Sequence, residues 1–231
     1  MDAGIGVILA TGKTIDAIYP LVRSLNLKLP QITQSGAVTV NRDLRIISST
    51  VIGPDHYLDV VKTIKREGGY PLACLSSGKI FYEKYHPDMD HIKKVGEKLI
   101  PVDSLQTPYF SHHATILSTA IAETHPLDRL LRDKYSSVLQ VVRSGQYFFD
   151  ILNLKATKGN ALLKLLEVLN IDPKSIAAFG DSPNDLSLFE VAGLKIAVGN
   201  AYQSVLDQAD IITAENYRYG LAQAIYGHLL S

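Results

Sequence analysis

The chain has 231 residues, in which 23 Lys+Arg balance 23 Asp+Glu, and 46% of the residues are hydrophobic. That length and apolar content support a buried core and exclude a disordered chain, while the charge balance argues against a nucleic-acid or polybasic membrane partner. A single cysteine, Cys74, rules out an internal disulfide. No run of eighteen apolar residues or signal-peptide pattern is present, so the cytoplasm is the expected compartment.

In chain order, "IGVILA" (5 to 10) is a continuous apolar run that predicts a strand buried on both faces, ending at "TGKT". From Thr14 onward, Ile15, Ile18, Tyr19, Val22 and Leu25 recur at helical spacing, and Pro30 closes the connection before "QIT". Residues 38 to about 150 read differently. Strand-like pieces "AVTV", "RIISSTVI", "KIFYE" and "VLQVVRSGQYFFDIL" mix there with helices near 55 to 67, 88 to 98 and 124 to 134. Strand–helix alternation then returns. Thr157 caps a helix with one apolar face at Ala161, Leu162, Leu165, Leu166 and Leu169. "SIAAF" reads as a strand, "NDLSLFEVA" as a helix, and "LKIAV" and "DIIT" as strands around a helix at Gln203 to Gln208, with a last helix near Arg218 to Leu230. The expected fold is α/β: a doubly wound, Rossmann-like parallel sheet formed by 1–37 and 151–231, with an α+β domain, 38–150, inserted into it.

Ligands of such sheets bind at the carboxyl ends of the strands, which places Thr11, Gly12, Lys158, Asp181 and Asp185 in question. A hydroxyl, an ammonium and two carboxylates are the groups needed to hold a phosphoryl group beside Mg²⁺, with turn amides at Gly12 adding donors. Each also has an ordinary reading. A Thr-Gly pair makes turns, a lysine in a first helical turn faces solvent, and Asp181 or Asp185 can cap the helix that follows.

Taken in order, "LATGKT", "TKGNALLKLLEVLNIDP", "IAAFGDSPNDLSLFEVAG" and "IAVGNAYQSVLDQADIIT" resemble the later motifs of the haloacid dehalogenase-like hydrolases, most of all the Cof-type phosphatase branch, whose α+β cap is inserted between the second and third motifs. The resemblance implies that Thr11 hydrogen-bonds the phosphoryl group, Lys158 neutralises it, Asp181 ligates Mg²⁺ and Asp185 supports the metal site. Asn184 and Asn200 match asparagines near the site. It further implies a phosphatase of a small phosphorylated metabolite that works through an aspartyl-phosphate, with no nucleic-acid or membrane partner.

One departure stands against this. The family's first motif, a strand ending in Asp-x-Asp followed by Gly-Thr, carries the nucleophile and the acid–base aspartate, and no such strand is present. Asp2 precedes the 5–10 strand and so stands roughly 20 Å from its far end. Asp16 and Asp150 lack the arrangement. The first, central core strand is therefore absent from these residues, Met1 reads as an internal methionine of a truncated or misassigned N-terminus, and the chain as written is expected to be inactive. A non-catalytic module that binds a phosphorylated ligand or a protein partner is the alternative, and a receiver-like Mg²⁺ module is a third. His86, His91, His112 and His113 lack zinc-ligand spacing and are expected at the surface or in packing. The aromatics Tyr70, Phe81, Tyr82, Tyr85, Tyr109, Phe110, Tyr147, Phe148 and Phe149 are expected to build the core of the inserted domain.

Overall fold

The computed structural model describes residues 4–120, 126–143 and 148–230. Asp2, Tyr147, the start of the helix expected at 124 and the middle of the long strand-like stretch lie outside the described residues. The chain forms two compact units, Ile8–Ala156 and Met1–Val7 with Thr157–Ser231.

In the first unit, α1 (Ile15–Ser24) follows the Thr11 loop and buries Ile15, Ile18 and Val22. Its apolar face is narrower than the sequence suggests, since Tyr19 and Leu25 are exposed. A small antiparallel sheet follows, with β1 (Gln31–Thr33), β2 (Val38–Val40) and the edge strand β3 (Ile46–Ser49). The expected strand at 5–10 does not form. Only Ala10 makes a parallel bridge, to Ile32, and Ile5 and Val7 stay exposed. A strand is stable only where a neighbour takes up its backbone groups, and here the ladder amounts to one bridge.

The rest of this unit is a six-stranded sheet in the order β6-β5-β4-β7-β9-β8. Its elements are α2 (Pro54–Arg66), β4 (Tyr70–Leu75), β5 (Ile80–Tyr82), α3 (Asp90–Lys94), β6 (Leu99–Pro101), α4 (Pro108–His113), β7 (Ala114–Ala120), α5 (Leu127–Tyr135), β8 (Leu139–Arg143) and β9 (Phe148–Asn153). Strand alternation divides its side chains between two faces. Ala73, Leu75, Phe81, Leu117, Val141, Phe149 and Ile151 pack with Tyr57, Val60, Ile64, Phe110, Leu131 and Tyr135 of the helices. Leu72, Cys74, Ile80, Ile116, Phe148 and Leu152 form a second cluster with Met89. Of the aromatics assigned to this core, Phe81, Phe110, Phe148 and Phe149 are buried, whereas Tyr85 and Tyr109 are exposed. Strands β4, β6 and β7 and helix α4 are the elements of this unit that sequence patterning passed over.

The second unit alternates helix and strand. It runs through α6 (Lys158–Leu169), β10 (Ala177–Gly180), α7 (Leu186–Phe189), β11 (Leu194–Ala197), α8 (Gln203–Leu206), β12 (Ile211–Ile212) and α9 (Gly220–Ala224). Strands β10, β11 and β12 are parallel neighbours in that order. The Thr157 hydroxyl accepts from Asn160 N–H at 3.0 Å and so caps α6 as the sequence predicts. The terminal helix is shorter than the expected 218–230 span: a 3₁₀ turn at Asn216–Arg218 precedes α9, and a π-helical turn at Ile225–Leu229 follows it.

Candidate active site

The third and fourth motifs meet around one buried ion pair. Lys158 Nζ lies 2.6 Å from Asp185 Oδ1 and 3.3 Å from Asn184 Oδ1. Lys158 and Asp185 are 6% and 5% exposed, so each charge depends on the other. A lysine at the start of a helix meets the positive end of its dipole, an additional reason for Lys158 to require this carboxylate.

Two local devices build the pair. Asp185 Oδ2 accepts the N–H groups of Asp181 and Ser182, each at 3.1 Å, reaching back over its own turn. Asp185 is thus the cap that the sequence left open, and with its other oxygen it holds Lys158. Gly159 is the second device. A Cβ there would run into the backbone carbonyl of Ser187, and Gly159 N–H instead donates to Ser187 Oγ at 3.1 Å. Only glycine lets the first turn of α6 sit this close to the 183–187 turn. The sequence reading did not single out Gly159, although an unpunctuated glycine inside an otherwise strong helix is itself a sign of close packing.

Asp181 differs from Asp185. It follows β10 directly, its residue is exposed, and its carboxylate has no partner among the described residues. Its backbone is fixed, with Asp181 C=O accepting from Tyr202 N–H at 2.9 Å. Asn200, exposed in the loop after β11, accepts from Asn216 N–H at 2.9 Å through Oδ1 and so ties that loop to the one after β12. Asn184 belongs to the ion-pair cluster.

Thr11 and Gly12 stand in the other unit. Thr11 Oγ1 accepts from Lys13 N–H at 3.2 Å, and Thr11 N–H donates to Ile32 C=O at 3.0 Å, so the loop is braced against β1. The sequence contains one Asp-x-Asp, Asp88-Met89-Asp90, but it lies in a helical turn rather than at a strand end. Asp88 faces His86 Nδ1 at 3.3 Å and Asp90 faces Lys93 at 3.3 Å. Among the histidines, His86 stacks on Tyr70 with ring centroids 4.5 Å apart, and His112 Nδ1 lies 2.7 Å from Pro108 C=O.

Among the described residues no group of three His, Cys, Asp or Glu side chains converges to hold a metal alone. One free carboxylate at a strand end suits an ion such as Mg²⁺, which takes one or two carboxylates and completes its octahedron with water and substrate oxygens. The donors therefore fit Mg²⁺ at Asp181 and do not form an all-protein cage.

Parallel strands β10 to β12, with a buried lysine–aspartate pair and an exposed aspartate beyond the first of them, make this unit an α/β sheet with its charged groups gathered at a strand end. A family profile for haloacid dehalogenase-like hydrolases matches residues 1–225, and the chain belongs to that family. It is 27% identical to the 5-amino-6-(5-phospho-D-ribitylamino)uracil phosphatase YwtE of Bacillus subtilis, over 97% of this chain and 86% of that protein. It is 26% identical to the pyridoxal phosphate phosphatase YbhA of Escherichia coli, over 99% of this chain and 88% of that one. A haloacid dehalogenase-like hydrolase from Bacteroides thetaiotaomicron shares the fold, with a TM-score of 0.86 at 22% identity, covering 98% of this chain and 87% of that chain.

Proposed function

We propose that the protein serves as a Mg²⁺-dependent phosphatase of a small phosphorylated metabolite, acting through an aspartyl-phosphate, with residues 38–150 as its cap. The observation that carries this reading is the division of labour around β10. One aspartate is spent on holding Lys158 and the turn, and the other is left free at the strand end. Bound Mg²⁺ would be held by Asp181 and would supply Lewis-acid polarisation of a phosphoryl oxygen. Lys158 keeps donor capacity beyond its two contacts and offers it, with its charge, to a phosphate oxygen. Thr11 Oγ and the Gly12 N–H are the neutral donors proposed for the same group. Asn200 acts by fixing the loop beside Asp181. The proposed compartment is the cytoplasm. No helix among the described residues is long and apolar enough to cross a membrane.

The sequence contains no strand ending in Asp-x-Asp-Gly-Thr, and this favours a second reading for these 231 residues on their own: binding of a phosphorylated ligand without turnover. One experiment separates the two. Phosphate release is measured across a panel of phosphate monoesters, with Mg²⁺ and with chelator. Both the 231-residue chain and the same chain preceded in frame by such a strand are assayed. Turnover by the extended chain alone, lost on chelation and in Asp181→Asn, is the expected result. An extended chain inert across the panel overturns the phosphatase reading. Saturable binding without turnover in both proteins establishes the second.

A further inference from the structure

Three consecutive residues, Gln34, Ser35 and Gly36, have φ of 51°, 55° and 95°. Left-handed backbone is unfavourable for residues with a side chain, and two such residues in succession persist only where their surroundings hold them. The hold here is fully built. Gln34 is wholly buried, its Nε2 donates to Leu75 C=O at 3.1 Å, and its Oε1 accepts from the Thr115 hydroxyl. Gln34 N–H donates to Lys13 C=O and Ser35 N–H to Thr11 C=O, both at 3.0 Å. The strained turn therefore grips the Thr11–Lys13 loop by two of its carbonyls.

The grip places one side chain at that loop. A Cβ added to Gly12 would stand 3.3 Å from Ser35 Oγ, so the hydroxyl lies directly against Gly12. Ser35 is half-buried and its Oγ has no hydrogen-bond partner among the described residues. Thr14 holds a second unused hydroxyl nearby in the chain, since its Oγ1 is buried with no partner among the described residues. Glycine would fit the Ser35 conformation better. The serine that stands there instead brings one thing glycine lacks, a donor beside Thr11 and Gly12.

We propose that Ser35 is a further binding residue of this loop, its hydroxyl donating to an oxygen of the bound phosphate group next to Thr11. The proposal rests on the phosphate-handling reading of the Thr11 loop.

The test uses the 231-residue chain, inorganic phosphate with Mg²⁺ as the probe, and calorimetric titration alongside thermal melting. Ser35→Gly is expected to melt higher than wild type, because the left-handed strain is gone, and to bind phosphate about tenfold more weakly, the loss of one hydrogen bond to a charged group. Ser35→Ala should bind as weakly without melting higher. Ser35→Asn, which tolerates the same backbone and restores a donor, should return affinity to within about threefold of wild type. Wild-type affinity in Ser35→Gly and Ser35→Ala overturns the role of Ser35 while leaving the phosphate-handling reading intact. A wild-type chain that takes up no phosphate overturns the role of Ser35 together with the binding-only reading of these residues, while the phosphatase reading is judged on the extended chain.

Discussion

Lys158 and Asp185 share a 2.6 Å ion pair in which each side chain is 7% exposed, and the same aspartate closes the turn that carries Asp181. One residue thus sets both the position of the site's cation and the path of its loop. Removing Asp185 should strand a buried ammonium. We expect Asp185→Ala to lose about 3–5 kcal/mol in denaturant unfolding. The double change Lys158→Met with Asp185→Ala should recover part of that loss, and a double variant no more stable than the single one would contradict the pairing.

Asp181 should behave in the opposite way. Its residue is exposed and its carboxylate has no partner among the described residues, so Asp181→Asn is expected to change stability by less than about 0.5 kcal/mol. Under the proposed function it should weaken Mg²⁺ binding by tenfold or more, read by titration calorimetry. A large fall in melting temperature would show that the carboxylate supports the fold instead.

Gly159→Ala tests the close approach of α6 to the Ser187 carbonyl. In an open helix this change stabilises by about 1 kcal/mol. Here the methyl has no space, and a loss of several kcal/mol typical of severe steric strain is expected. The measurement is equilibrium unfolding, with Gly227→Ala, whose Cβ would meet nothing within 4 Å, as the contrast.

Gln34→Leu removes the side chain that bonds Thr115 and the Leu75 carbonyl. Thr115 can still donate to Cys74 C=O and Leu75 C=O still accepts from Gly78 N–H, so the loss is that of two hydrogen bonds, about 1–3 kcal/mol. If stability is unchanged, the left-handed turn is held by something other than Gln34.

A pH-dependent contribution is expected on the surface of α2. Lys134 and then Tyr135 donate to Asp59 at 2.7 and 2.6 Å and hold its carboxyl below the usual range. A depressed folded pKa gives stability that is present above the unfolded value near 4 and is lost as pH falls through the lower, folded one. Because the pair is half exposed, its size should stay below about 1 kcal/mol. Asp59→Asn should therefore lose a little stability at pH 7 and match wild type at pH 2 in urea titrations. A difference that persists at pH 2 would point to packing rather than charge.

Which parts of this architecture the residues announce follows from how local their causes are. The α6 cap at Thr157, its buried face and the three parallel strands rest on short-range signals, and each stands where the pattern places it. Strand β4 was hidden by Pro71, which breaks strand patterns. It is tolerated because β5 pairs only from Leu72 onward, leaving Pro71 opposite Thr119 alone. Strand β7 begins at Ala114, immediately after α4 ends at His113, with no turn residue to mark the change. The 5–10 run failed for the converse reason: an apolar segment specifies a strand only when a neighbour pairs with it. At the site, residue types and order pointed to Lys158, Asp181 and Asp185. That Asp185 holds Lys158 while Asp181 stays free depends on side-chain directions that spacing does not encode. Ser35 and Gly159 matter through backbone geometry, which a sequence motif does not display.

The backbone of the Asp181 turn is tied to Tyr202, and the loop carrying Tyr202 is tied in turn to Asn216 through Asn200 and by Gly199 N–H to the Ala214 carbonyl. During synthesis, then, Lys158 and Asp185 can meet as soon as the 183–187 turn has emerged from the ribosome. The carbonyl of Asp181 must wait for about fifteen residues more, and the last of its braces for about thirty. The cation's seat is assembled early in translation and the exposed carboxylate is secured late, so a nascent chain passes through a stage in which its charge pair is formed and its strand-end loop is still unbraced.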